Sequence, residues 1–292
     1  MKVAVIGPGA MGILFATRLQ SAGIATTLVD YKPDRVKRFA KSGLRVDVNG
    51  TEETAKPSFS TLAPAGQDLF IVLTKSYATE SLKLPPSIPV LTLQNGLGNV
   101  EHLCKIVGSS NVISGTTSEA STLLGEGHIR HAAPGTTTIG SWTSCSTEIA
   151  EKVLSTAGFN VVTTTSPGQM LWEKTVINAG INPLTAILNV PNGRLVEIKE
   201  IRELMRDLVV EAAKVASTEG YRFESSLVEK TEQVCFQTGT NISSMLQDIR
   251  AGRQTEINSI SGEILRRGEF ASLQAPRTRA IYQVIKGLEL SR

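Results

Sequence analysis

Near its start the chain runs Lys2-Val3-Ala4-Val5-Ile6 and then meets three glycines, Gly7, Gly9 and Gly12, spaced as G-x-G-x-x-G. An apolar run of this length is a buried strand, and it stops where a side chain would obstruct the backbone. Gly7 permits a tight turn, Gly9 lets the backbone approach a ligand closely, and Gly12 lets the following helix pack on the strand. Met11, Leu14, Phe15 and Leu19 give that helix an apolar face. Its first N–H groups then face whatever occupies the turn, a geometry suited to a pyrophosphate. A second strand at 26–29 ends in Asp30, 18 residues after Gly12, close to the roughly 20 expected of a carboxylate that binds a ribose hydroxyl. The stretch Gly7, Pro8, Gly9, Ala10, Met11, Gly12 with Asp30 is therefore a candidate dinucleotide site.

The 292 residues, 41% of them hydrophobic, suffice for two domains with real cores. Net charge is only +3, and the basic residues are scattered with few aromatics among them. This argues against nucleic acid and against a membrane surface as partner. The chain lacks an apolar run of the roughly 18 residues a spanning helix needs, and its start is too short and glycine-interrupted for a signal peptide. Cys104, Cys145 and Cys235 are far apart and form no metal-ligand pattern with His102, His128 or His131. The expectation is a cytoplasmic protein without a metal.

Short β-rich runs alternate with helical or loop stretches up to about residue 165: 2–6, 26–29, 69–73, 89–93, 112–116, 129–132, 136–139 and 160–164. The runs on either side of Ala133-Pro134-Gly135 read as a hairpin. His128 and His131 lie there with no acid nearby in the sequence pattern, and are read as structural. Beyond Ser166-Pro167-Gly168 the helical period takes over, with Ile198, Ile201, Leu204, Leu208, Ala212 and Val215 on one stripe, ended by Gly220. The predicted architecture is α/β: an N-terminal Rossmann-type doubly wound sheet domain, 1–166, binding NAD(P), plus a C-terminal all-α domain, 167–292, carrying substrate and catalysis. The site would lie in the cleft between them.

In the first helix of the second half, Lys174, Asn178 and Asn182 recur every four residues, so successive members lie about 40° apart on one face. A cation and two amides flanked by Leu171, Ile177 and Ile181 can orient a small anion. A solvated stripe is the plainer alternative, but asparagine is a poor helix former that such stripes seldom favour. Pro183 should kink or stop the helix at Asn182. Asn95, in Leu93-Gln94-Asn95-Gly96, and Lys75 follow strand ends, where ligands of doubly wound sheets bind; an ordinary turn and a surface lysine are the alternatives. Near Asn241, Ser244-x-x-Gln247 reads as a capping box, and Glu256 as a carboxylate at a helix start.

Together GPGAMG, LQNG, GTTSEA, APGTTTIG, KTVINAGINPLTAI, PNG and SSMLQDIRAGRQTEI resemble the 2-dehydropantoate 2-reductase (ketopantoate reductase) family over essentially the whole chain. The resemblance implies NAD(P)H-dependent reduction of 2-dehydropantoate to (R)-pantoate, a step of pantothenate and hence coenzyme A biosynthesis. It implies Lys174 as proton donor, with Glu256 in the catalytic set and also near the cofactor. Asn95, Asn178, Asn182, Asn192, Asn241 and Ser244 would hold a small 2-keto acid. Gly7 to Gly12, Asp30, Lys32, Lys75, Asn95 and Ala120 would meet the cofactor. NADP(H) is favoured by the resemblance, and NAD(H) by Asp30, whose carboxylate repels a 2′-phosphate that Lys32 and Arg35 could answer. A homodimer is implied too. The alternatives are another 2-keto acid reductase, a β-hydroxyacid dehydrogenase, which shares Lys-x-x-x-Asn, and a non-enzymatic NADP(H) sensor.

Overall fold

The computed structural model of the chain describes residues 1–223 and 225–291. It divides into two compact units: Met1–Gln94 with Asn99–Pro167, and Gly168–Arg292 with the short segment Asn95–Gly98.

The first unit holds twelve strands: β1 Lys2–Ile6, β2 Ala25–Val29, β3 Leu44–Val48, β4 Thr51–Ala55, β5 Ser58–Ser60, β6 Leu69–Val72, β7 Val90–Thr92, β8 Val112–Thr117, β9 Ala120–Gly125, β10 His128–Ala133, β11 Thr136–Ser141 and β12 Asn160–Thr163. Its helices are α1 Ala10–Ser21, α2 Pro33–Ser42, α3 Asn99–Val107 and α4 Glu148–Thr156. Eight strands form one sheet in the order β12-β11-β8-β7-β6-β1-β2-β5. All its pairs are parallel except β11 with β8. In the centre of this sheet β1 is buried on both faces, which is why it reads as a continuous apolar run. Val3, Val5, Ile13, Phe15, Leu28 and Ile71 fill the core beside it, and Phe15 stacks on Phe159 with ring centroids 4.2 Å apart.

A second sheet, β4-β3-β10-β9, adjoins α1. It corrects the expected hairpin. β10 pairs with β3 and β9, whereas β11 pairs with β8 and β12. Ala133-Pro134-Gly135 is thus a crossing between sheets. At Gly135 a Cβ would lie 2.3 Å from the Ser118 carbonyl carbon, so the crossing is set by a distant segment that local turn chemistry does not reveal. Strands β3, β4, β5 and β9 are additions to the expected set. β4 is TEETA with four exposed residues, so it carries no apolar alternation; its signal is Asn49-Gly50, both at positive φ, joining the paired Val48 and Thr51.

The second unit is helical: α5 Pro167–Leu188, α6 Arg194–Glu197, α7 Lys199–Thr218, α8 Leu227–Gln237, α9 Ser244–Arg250, α10 Glu263–Phe270 and α11 Pro276–Leu290, with a π-turn at Asn258–Gly262 before α10. Its core centres on Ile181, Leu184, Leu195, Met205, Leu208 and Cys235. Trp172 is buried within this unit, its indole N–H donating to Glu219 Oε2 at 3.0 Å. Pro183 lies inside α5 and does not end it, so of the two expected outcomes the stop does not occur. A proline in a helix interior costs about 3 kcal/mol or more. Burial of Ile181, Leu184 and Ala186 around it, at about 1.5–3 kcal/mol for each large apolar side chain, outweighs that cost. Among the described residues no helix is long and apolar enough to cross a membrane.

Gly180 brings α5 close to α7, because a Cβ there would stand 2.8 Å from Val209 Cγ2. Alanine favours the helix by about 1 kcal/mol over glycine, but overpacking costs about 1–3 kcal/mol. Gly180→Ala should therefore lower stability by up to about 2 kcal/mol, seen as a lower urea midpoint at unchanged slope.

Candidate active site

The nucleotide turn is built by close backbone approach. Gly7 has φ +106°, and its N–H donates to Val29 O at 3.0 Å, tying the end of β1 to the end of β2. A Cβ on Gly7 would meet Thr74 at 2.8 Å, and one on Gly12 would lie 1.8 Å from Gly7 O. At Gly9 a Cβ would meet nothing within 4 Å, so the turn faces open space. Gly9 caps α1 without a side-chain hydrogen bond, and the first turn of α1 carries no acid. Uncapped N–H groups facing open space, with no negative charge beside them, fit a pyrophosphate. Pro8, Ala10 and Met11 are partly buried around it. Ser121 Oγ donates to Ala10 O at 3.4 Å, which puts Ala120 beside the turn. Lys75 follows Thr74, whose carbonyl accepts from Gln94 Nε2 at 3.0 Å.

Asp30, at the tip of β2, is 2% exposed. Its Oδ1 accepts from Lys32 N–H at 3.2 Å and from Arg35 Nη2 at 2.6 Å, and its Oδ2 accepts from Arg35 Nε. The hydrogen bond to Asp30 raises the Arg35 guanidinium above its usual range. Lys32 itself is exposed.

In the second unit Lys174 and Asn178, both partly buried, and Asn182, buried, share one face of α5. Burial pushes the Lys174 amine down to about 8, while the charge of Glu256 acts in the opposite direction. Glu256 is buried, and its Oε2 accepts from Asn95 Nδ2 at 3.1 Å. Asn95 is held by its neighbours: Leu97 N–H donates to Ser259 O at 2.8 Å, and Ser259 Oγ donates to Asn95 O at 3.4 Å. Gly96 is required between them. It has φ +81°, and a Cβ would lie 2.3 Å from Ser259 O. Asn192 is buried, donating from Nδ2 to Thr238 Oγ1 at 2.9 Å and from its N–H to Asn241 O at 3.0 Å. Its Oδ1 is buried with no hydrogen-bond partner among the described residues, an acceptor that a polar ligand or water would satisfy.

Some placements differ from expectation. Ser243, not Ser244, caps α9: its Oγ accepts from Leu246 N–H at 3.1 Å and pairs with Thr185 Oγ1 at 2.7 Å. Gln247 reaches back to Ile242 O at 2.9 Å, so the capping contacts sit one residue earlier than read. Ser244 and Asn241 are exposed. The histidines do have acids beside them. His131 Nε2 lies 2.6 Å from Glu119 Oε2, with Arg18 Nη2 3.4 Å from Nδ1, and His128 Nε2 lies 3.0 Å from Asp47 Oδ1. Strand pairing brings these acids in from elsewhere in the sequence. Thr74, Ser243 and Ser259 were missed because each acts through a contact distant in sequence; only the SS pair at 243–244 hinted at a cap.

Residues 3–144 match the family described as ketopantoate reductase PanE/ApbA, and residues 168–289 match its C-terminal region. The chain is 35% identical to the 2-dehydropantoate 2-reductase of Halobacterium salinarum over 297 residues, covering 98% of each chain. Among solved structures it resembles a PanE/ApbA family ketopantoate reductase from Ralstonia eutropha, with TM-score 0.90, 31% identity and 99% and 98% of the two chains covered. It also resembles D-mandelate dehydrogenase in a ternary structure with NADH and anilino(oxo)acetate, with TM-score 0.93, 28% identity and 100% and 99% coverage. The chain belongs to the ketopantoate reductase PanE/ApbA family of oxidoreductases.

Proposed function

We propose that the chain reduces 2-dehydropantoate to (R)-pantoate, in pantothenate and coenzyme A biosynthesis. The first unit takes the dinucleotide, and the second holds the keto acid and supplies the proton. A reduced nicotinamide dinucleotide, when bound, supplies the hydride delivered to the C2 carbonyl carbon. The carbonyl oxygen then holds the electron pair of the broken π bond, and Lys174 donates the proton that makes it a hydroxyl. One observation carries the reading: the partly buried Lys174 lies within electrostatic reach of the buried Glu256 carboxylate, and loss of water pushes its amine down to about 8. Such an amine is charged at neutral pH yet gives up a proton readily. Glu256 keeps that charge in place against burial, and Asn95 orients Glu256. Asn178, Asn182, Asn192, Asn241 and Ser244 are the proposed hydrogen-bond partners of the substrate's carboxylate and hydroxyl groups.

A second reading has one specific support, the likeness to D-mandelate dehydrogenase. It gives this chain an aryl 2-keto acid with the same proton donor. Initial rates with 2-dehydropantoate and with aryl and branched aliphatic 2-keto acids separate the two. A kcat/KM for 2-dehydropantoate tenfold above every competitor is expected, and faster turnover of an aryl keto acid would install the second reading. The family reading carries a homodimer with it, tested by sedimentation equilibrium of the purified chain.

Lys174→Ala should lower kcat by about 100- to 10,000-fold, the usual contribution of a general acid, with nearly unchanged dinucleotide binding. An unchanged kcat removes Lys174 from the mechanism. The donor is the ammonium, so the reduction rate should fall as pH rises through about 8. Glu256 raises the Lys174 pKa, so Glu256→Gln should move this alkaline limb to lower pH; a pH–rate profile of both forms checks the sign.

A further inference from the structure

The contacts around Asp30 bear on which dinucleotide the first unit takes, and this inference rests on its proposed nucleotide-binding role. A carboxylate offers about four acceptor sites. At Asp30 three are taken: Lys32 N–H and Arg35 Nη2 on Oδ1, and Arg35 Nε on Oδ2. Among the described residues one acceptor site remains, on Oδ2, which suits a single ribose hydroxyl. A 2′-phosphate differs in two respects. It donates no hydrogen bond, and it brings close to two negative charges toward a carboxylate that is 1% exposed and shielded little by water.

A phosphate would need a cation, and the two arginines that follow β2, Arg35 and Arg38, are committed. Arg35 forms a forked pair with Asp30 and is only 25% exposed. Arg38, one turn further along α2, donates from Nη2 to Glu126 Oε2 at 2.9 Å. Lys32 is exposed, and its Nζ lies 5.6 Å from the Tyr31 ring centroid. A lone exposed lysine is a strongly hydrated point charge without the fork that matches a phosphate.

We propose that the Asp30–Arg35 pair chooses the dinucleotide: Asp30 accepts a ribose hydroxyl and, by holding Arg35, withholds the one forked cation that a 2′-phosphate could use. The chain is therefore selective for NADH, against the NADP(H) that the family resemblance favours, and Arg35 is a latent phosphate ligand. Removing the carboxylate does more than remove a repulsion, because it also releases the guanidinium.

The test is binding of NADH and of NADPH to the full-length protein by calorimetry, with no keto acid present. NADH binding at least tenfold tighter than NADPH is expected for the natural sequence. In Asp30→Ser the order should reverse by tenfold or more, and in Asp30→Ser with Arg35→Ala that gain should disappear. Asp30→Asn keeps the shape and the acceptor for Lys32 N–H, and carries the same test if the serine variant does not fold. Three results overturn the proposal: tighter binding of NADPH to the natural sequence, no gain of NADPH affinity on removing the carboxylate, or a gain that persists without Arg35. Failure to bind either dinucleotide overturns the nucleotide-binding role itself and the inference with it. Because no keto acid is present, failure of the substrate assignment leaves this measurement untouched.

Discussion

Between Gly12 and the carbonyl of Gly7 there is room for a hydrogen atom and nothing larger. That contact lets α1 begin at the end of β1, and the rest of the nucleotide turn follows from it. Gly7 N–H can then reach Val29 O, fixing the tip of β2 and with it Asp30. Thr74 can close over Gly7 on the other side, beyond the tip of β6. Ile6 is in register with both Val29 and Val72, so three parallel strands end together around one backbone concavity. The parallel sheet gathers the turn, the acid and the residue before Lys75 at the same edge.

Within the second unit charges are handled in two different ways. Glu232 has its carboxyl held down to about 2 by hydrogen bonds from Arg202 and Arg206, a pair of partners that leaves it permanently ionised. Lys174 is shifted mainly by loss of water, and the nearby carboxylate only partly offsets that loss. The first arrangement favours one protonation state over the whole neutral range. The second brings a proton's departure within reach at ordinary pH. Strong shifts caused by desolvation plus one specific partner mark sites of chemistry more often than multiply bonded ion pairs do.

Elements whose cause is local were legible in the sequence. The strand, glycine turn and helix at the start, the stripe of α7 and the common face of Lys174, Asn178 and Asn182 all follow from periodicities of a few residues. What escaped depends on partners far along the chain. β10 and β11 look like a hairpin until each is seen to have its own sheet. His131 looks isolated until Glu119 reaches it from the connection between β8 and β9. Pro183 reads as a kink or a stop because steric rules for a dipeptide are blind to the core that lets α5 continue past it. The helix cap fell on Ser243 and not Ser244, a one-residue difference settled by which hydroxyl also meets Thr185.

The second unit is not a continuous piece of chain. Four residues from the first third of the sequence, Asn95–Gly98, belong to it, while the chain on both sides of them belongs to the first. During synthesis those four residues leave the ribosome about 160 positions before Glu256 and Ser259, the partners they bond. The helical unit therefore completes its own contacts only when a segment from the first half of the chain joins it. A cut near Pro167 separates the two partners of this bond: one fragment carries Asn95 and the other Glu256.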